Sequence, residues 1–353
     1  MNKEIKVGAL SLGLTYAGCF FGAGFVSGKE LYEFFGAFGV KGYLGLALAI
    51  ILFAVFGSLL IRNVQLSGRR NLDDVLILPD LKLPRIILGA ITIFIMYGIL
   101  VVMAAGAGAL INQVFDLPHY IGCLLFIALA CFGTLYGISG AVKVFTYLVP
   151  VLVVMSLIIC FTALSKYGIS FDFPENNDNP LLLSWWFSAV TYVSYNIITL
   201  IGAMIPVGAY VKKKSTAYIG IISGCLFAMS IALGIFVTVT SVFSSVESEL
   251  PMLTVAFTVS NIFGFIYAFL LIAAMYGASL SCFVGVVVYC EEKSSLFSKH
   301  KKLFVWALGI IAFLCSLVGF GNLVNTVYPL FGYFGFVILA LIIANFIYLK
   351  VKK

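Results

Sequence analysis

The sequence predicts an all-α polytopic membrane protein of ten transmembrane helices, folded as two five-helix halves of opposite topology. Three observations predict it. Hydrophobic residues make up 63% of the 353 and charged residues 10%, and the mean hydropathy of +1.15 lies far outside the range of soluble domains. Apolar runs long enough to cross roughly 30 Å of hydrocarbon fall at 7–37, 39–61, 84–114, 119–138, 142–165, 181–209, 215–243, 252–290, 303–319 and 321–349. All but three of the 21 lysines and arginines then fall on the N-terminal side of the bilayer, the exceptions being Lys29, Lys41 and Lys166.

That asymmetry explains the formal charge of +7 without nucleic acid. The basic loops are those holding Lys3 and Lys6, Arg62 to Arg85, Lys143, Lys212 to Lys214, Lys293 to Lys302, and Lys350 to Lys353. The opposite loops carry Asp116, Asp172, Glu175, Asp178, Glu247 and Glu249. The positive-inside rule therefore puts both termini in the cytoplasm and the chain in the cell membrane as a multi-pass protein. The start, Lys3 to Lys6 ahead of an apolar stretch, has the outline of a signal peptide, and Ala17-Gly18-Cys19 faintly resembles a lipoprotein box. Tyr16 stands where that box wants Leu and the residues after Cys19 stay apolar, so an uncleaved anchor is expected.

The first run carries the strongest irregularity: Gly22-Ala23-Gly24, followed by Phe25-Val26-Ser27-Gly28-Lys29-Glu30. An unsatisfied backbone group in lipid costs several kcal/mol, so two glycines beside charges suit a cavity-lining break better than a plain span. A helix broken there offers free N–H groups to an anion and free carbonyls to a cation. Packing through small residues such as Gly18 and Gly22 is the competing account. Lys29, Glu30 and Glu33 form either an intrahelical pair facing the outer vestibule or a gate or proton site. The third and eighth runs exceed a perpendicular span and should tilt or protrude.

The sixth run has no glycine near its middle, yet places Thr191, Tyr192, Ser194, Tyr195, Asn196 and Thr199 at membrane depth. Residues 192, 195, 196 and 199 share a face, and Asn196 could satisfy carbonyls freed by an unwound turn. Tyr192 or Tyr195 would serve as an aromatic lid. Trp185 and Trp186 read as interfacial belt residues.

An offset of 176 residues carries Thr15-Tyr16 onto Thr191-Tyr192 and the second, third and fifth runs onto most of the seventh, eighth and tenth. The halves are then 1–165 and 181–353, joined by an extracellular linker at 166–180. None of the eight cysteines has CxxC spacing, so neither a zinc site nor a disulfide scaffold is indicated. Asp73-Asp74 has the look of half a magnesium-diphosphate site, but it sits alone in a basic loop and reads as a solvated turn. His119 and His300 are loop residues without a partner. Convergent catalytic groups are missing from the sequence, which argues against an enzyme.

Five plus five helices with a Gly-x-Gly break in the first resemble the amino acid–polyamine–organocation superfamily of LeuT-like fold. The run Gly22 to Glu30 looks like the YkvI-type bacterial membrane proteins within it. The resemblance implies broken first and sixth helices, the latter around Ser194 to Asn196, and a secondary transporter of a small zwitterion, most simply an amino acid. It implies a solute site at Gly22, Ala23, Gly24, Phe25, Tyr97, Tyr192, Tyr195 and Asn196. It also implies a sodium site on the eighth helix at Ala278, Ser279, Ser281 and Cys282, with sodium as coupling ion and no other cofactor. Cys282 departs from the family's hydroxyl and is a poor ligand for a hard cation. Proton coupling, and a ligand-sensing subunit on the same fold, are the alternatives.

Overall fold

The computed structural model describes residues 7–68, 75–76, 82–136, 139–171, 173–242 and 247–352, without the side chains of 23, 82, 85 and 139–149. Asp73-Asp74, Asp172 and the Lys143 side chain lie outside the described residues. The first run is three pieces: α1 (Ala9–Gly18), α2 (Ala23–Ser27) and α3 (Lys29–Leu31), the last running on as a π-helical turn over Tyr32–Gly36. Then come α4 (Lys41–Ser67), α5 (Lys82–Phe115), α6 (His119–Tyr136), α7 (Ser139–Tyr167), α8 (Trp185–Gly208) and α9 (Lys214–Ser241). The chain ends with α10 (Pro251–Val259), α11 (Asn261–Lys293), α12 (Ser295–Lys299), α13 (Lys301–Ser316) and α14 (Phe320–Val351).

Eight of the described helices are long and apolar enough to cross a membrane: α4 to α9, α11 and α14. The interrupted first run and the 16-residue α13 are not among them. Two expectations need correction. The eighth run is not one long span, because Ser260 stops α10 and its side chain accepts a hydrogen bond from Ile262 N at 3.2 Å, capping α11. The sixth run is not broken either. Its polar face is spent on its own carbonyls: Thr191 Oγ1 donates to Phe187 O (2.8 Å), Ser194 Oγ to Thr191 O (2.8 Å), Asn196 Nδ2 to Tyr192 O (2.9 Å) and Thr199 Oγ1 to Asn196 O (2.7 Å). Hydroxyls and amides bonded back in this way are compatible with a continuous helix.

Small residues set the close helix contacts. A Cβ on Gly224 of α9 would lie 2.3 Å from Gly13 O of α1, and one on Gly335 of α14 would lie 2.5 Å from Ser194 O of α8. Gly18 and Gly22, by contrast, have nothing within 4 Å of such an atom. The packing account of the first run therefore belongs to Gly13 and fails at the break. Since the Gly335 neighbour is backbone that cannot swing aside, Gly335→Ala should destabilise the protein by about 1–3 kcal/mol, read as a lowered Tm with α8 and α14 parting first in hydrogen exchange.

Candidate functional site

Two interruptions shape the first run. Between α1 and α2 the chain leaves helical hydrogen bonding over Cys19 to Gly22, one turn earlier than Gly22 to Gly24. Ser27 Oγ donates to Gly24 O at 2.9 Å, supplying a local partner next to the second interruption. That interruption is Gly28, at φ +80 in the left-handed region where glycine alone is comfortable. The turn withdraws the Glu30 N–H from Val26 O, and the Tyr267 phenol of α11 donates to that carbonyl instead, at 2.5 Å. Ser156 of α7 lies 3.2 Å from the same phenol. Tyr267→Phe should leave Val26 O unsatisfied in a buried site and cost about 1–3 kcal/mol, measurable as a Tm shift that a surface Tyr→Phe control lacks.

The Gly28 turn folds the Glu30 side chain back over Gly24. A Cβ on Gly24 would fall 1.8 Å from Glu30 Oε1, so the notch at Gly24 holds the protein's own carboxyl. The Tyr195 hydroxyl of α8 donates to Glu30 Oε2. Tyr195 is itself held between the rings of Phe34 (5.9 Å) and Tyr328 of α14 (5.0 Å). Glu30 is 5% exposed. The neighbouring ammonium does not neutralise it, because Lys29 Nζ pairs with Glu33 Oε1 at 3.0 Å.

A cavity of about 240 Å³ opens beside this carboxyl. Its walls are Cys19, Phe20, Gly22, Gly24 and Glu30 from the first run, Ile99 and Met103 from α5, and Tyr195, Asn196 and Thr199 from α8. Ala278, Ser281 and Cys282 of α11 and Tyr328 of α14 complete it. Glu30 is the sole charged residue among these walls. Gly22 and Ser281 are exposed at its mouth, whereas Phe34, Phe35 and Tyr192 are fully buried beyond its other end. Along the first run exposed Gly22 precedes Glu30 and buried Phe34 and Phe35 follow it, so the exposed rim lies on the α1 side of the carboxyl and the aromatic layer on the other. The Lys29–Glu33 pair lies outside the cavity walls, where Gly321 at the start of α14 also packs on Lys29 and donates its N–H to Glu249 (3.4 Å).

The expected solute set is only partly brought together. Gly22, Gly24, Tyr195 and Asn196 line the cavity; the Ala23 side chain lies outside the described residues. Phe25 does not line it, being buried against Phe21 at 5.7 Å. Tyr97 does not either: its hydroxyl donates to Leu308 O of α13 at 2.7 Å. Tyr192 packs in the buried aromatic layer against Phe34, Phe35 and Phe53. On α11, Ala278, Ser281 and Cys282 line the cavity, but Ser279 is fully buried away from it. Ser281 Oγ donates to Gly277 O at 2.9 Å, and the third position, Cys282, is a thiol, a poor ligand for a hard cation. Of the charged trio, Glu30 reaches the cavity while Lys29 and Glu33 pair outside it. Cys19, Phe20, Ile99, Met103 and Tyr328 were not foreseen from the sequence, whereas Thr199 was already marked by the helical face of 192, 195, 196 and 199.

No family model matches the chain. It is 26% identical over 338 residues to the uncharacterized membrane protein YkvI of Bacillus subtilis, covering 94% of each chain. It is also 23% identical to the uncharacterized protein YyaD of the same organism, over 90% of this chain and 91% of that one. Among solved structures it superposes on MhsT in complex with L-phenylalanine with a TM-score of 0.64, at 18% identity over 96% of this chain and 90% of that one. On the inward-facing conformation of Mhp1 the TM-score is 0.58, at 15% identity over 94% and 74%. The fold is LeuT-like. Mhp1 is a nucleobase-cation-symport-1 family transporter.

Proposed function

We propose that the protein is a secondary transporter of a small solute bearing an amino group, amino acid-like in size, moved by alternating access through the cavity at Glu30. One observation carries the reading: a broken helix, a buried uncompensated carboxyl and a solute-sized cavity coincide at Glu30. Buried charge in a bilayer is expensive and rarely kept without a use. The titles of the fold neighbours, a phenylalanine complex and a hydantoin-bound cation-symport transporter, agree with a small-molecule cargo. The residues on α11 favour a proton over sodium as coupling ion, since Cys282 is a thiol and Glu30 is a carboxyl within the cavity. Both termini cytoplasmic, and halves 1–165 and 181–353 related by a two-fold axis in the membrane plane, complete the proposal.

The test is uptake of labelled amino acids and primary amines into proteoliposomes, with sodium replaced by choline at fixed pH. The expected result is accumulation that survives the replacement and collapses with a protonophore. Saturable binding without uptake of any bound compound would favour the sensor instead.

A further inference from the structure

We propose that the Glu30 carboxylate is one site for which a proton and the primary ammonium group of the solute compete, so that the protein exchanges one for the other across the membrane. The inference rests on the transporter reading and adds the chemical class of the cargo and the sense of coupling. The Gly24 notch, where a solute carboxylate could approach the broken helix, already holds Glu30 Oε1. The lone carboxyl among the cavity walls calls for a cation on the solute, whether or not a carboxylate accompanies it.

Among the described residues, the surroundings supply no other cation. The titratable groups facing Glu30 are phenols and thiols: Tyr192 and Tyr195 of α8, Tyr328 of α14, Cys19 of the first run and Cys282 of α11. The wall from α5 offers Ile99 and Met103. Lys29 is spent on Glu33. An ionised carboxyl 5% exposed with one phenol donor is costly when unpaired. With the cavity empty the group holds a proton; when an ammonium enters, that proton leaves to solution and the ion pair replaces it. Either species neutralises the site, so one carboxyl binds one or the other.

The test uses the full chain in lipid nanodiscs, with phenylalanine, phenethylamine and methylammonium as probes. Thermal-shift titrations at a series of pH values should show stabilisation by the two amines as well as by the amino acid. Apparent affinity should strengthen up to about tenfold per pH unit while Glu30 stays protonated in the empty protein. An indicator dye should register about one proton released per amine bound by wild type, and Glu30→Gln should lose both effects. Because the dye and pH-series arms read the wild type, a misfolded variant would leave them decisive. Stabilisation by phenylalanine alone, with no pH dependence and no released proton, would overturn exchange at Glu30 while leaving a transporter standing. Stabilisation by none of the three would also overturn it; the proteoliposome uptake above judges the transporter reading separately.

Discussion

Glu30→Gln should reduce transport at least a hundredfold while leaving the protein expressed and folded. The amide keeps the shape of the carboxyl and can still accept from the Tyr195 hydroxyl, so the Phe34–Tyr195–Tyr328 stack has no reason to move. What is lost is the charge. Removing one partner of a buried ion pair costs about 3–5 kcal/mol, and at about 1.4 kcal/mol per tenfold this is a loss of about two to three and a half orders of magnitude. Initial rates of uptake per reconstituted protein read the effect. A variant transporting within threefold of wild type would place the solute elsewhere.

Gly24→Ala should also impair transport, for a different reason. Its methyl would sit 1.8 Å from Glu30 Oε1, so the carboxyl must leave the notch, taking with it the hydrogen bond from Tyr195. The side chain is flexible and the helix tolerates alanine, so folding should survive with a Tm change within about 1 kcal/mol of stability while transport falls at least tenfold. Combining Gly24→Ala with Glu30→Asp, which shortens the acid by one methylene, should recover part of the loss. Independent, additive losses in the double variant would show that the two residues do not share the notch.

The spans were legible because the bilayer imposes a length and an apolarity that few other contexts demand, and the break was legible because Gly22 and Gly24 stand in such a span beside charges. The seat of Glu30 was not. In an uninterrupted helix residues 24 and 30 point about 120° apart; the left-handed turn at Gly28 brings them together, and that angle is invisible in the sequence. The sixth run misled in the opposite way. Its polar residues matched the expectation of an unwound segment, yet the same hydroxyls and Asn196 close on carbonyls three and four positions back. Tyr267 and Tyr328 were missed because what they touch lies more than a hundred residues away in the chain. Tyr97 has polar chemistry at membrane depth, but α13, remote in sequence, takes its hydroxyl.

The central claim is that a solute is held beside Glu30 in a cavity reached from one side of the membrane at a time. Cys282 lines that cavity and can report on it in a variant whose other cysteines are replaced. In sealed vesicles of known orientation, a membrane-impermeant thiol reagent should modify Cys282 from the N-terminal side, and a transported solute should slow the reaction at least fivefold, in the manner of site protection by a bound ligand. Equal modification from both sides, or a rate that no transported solute alters, would contradict the account.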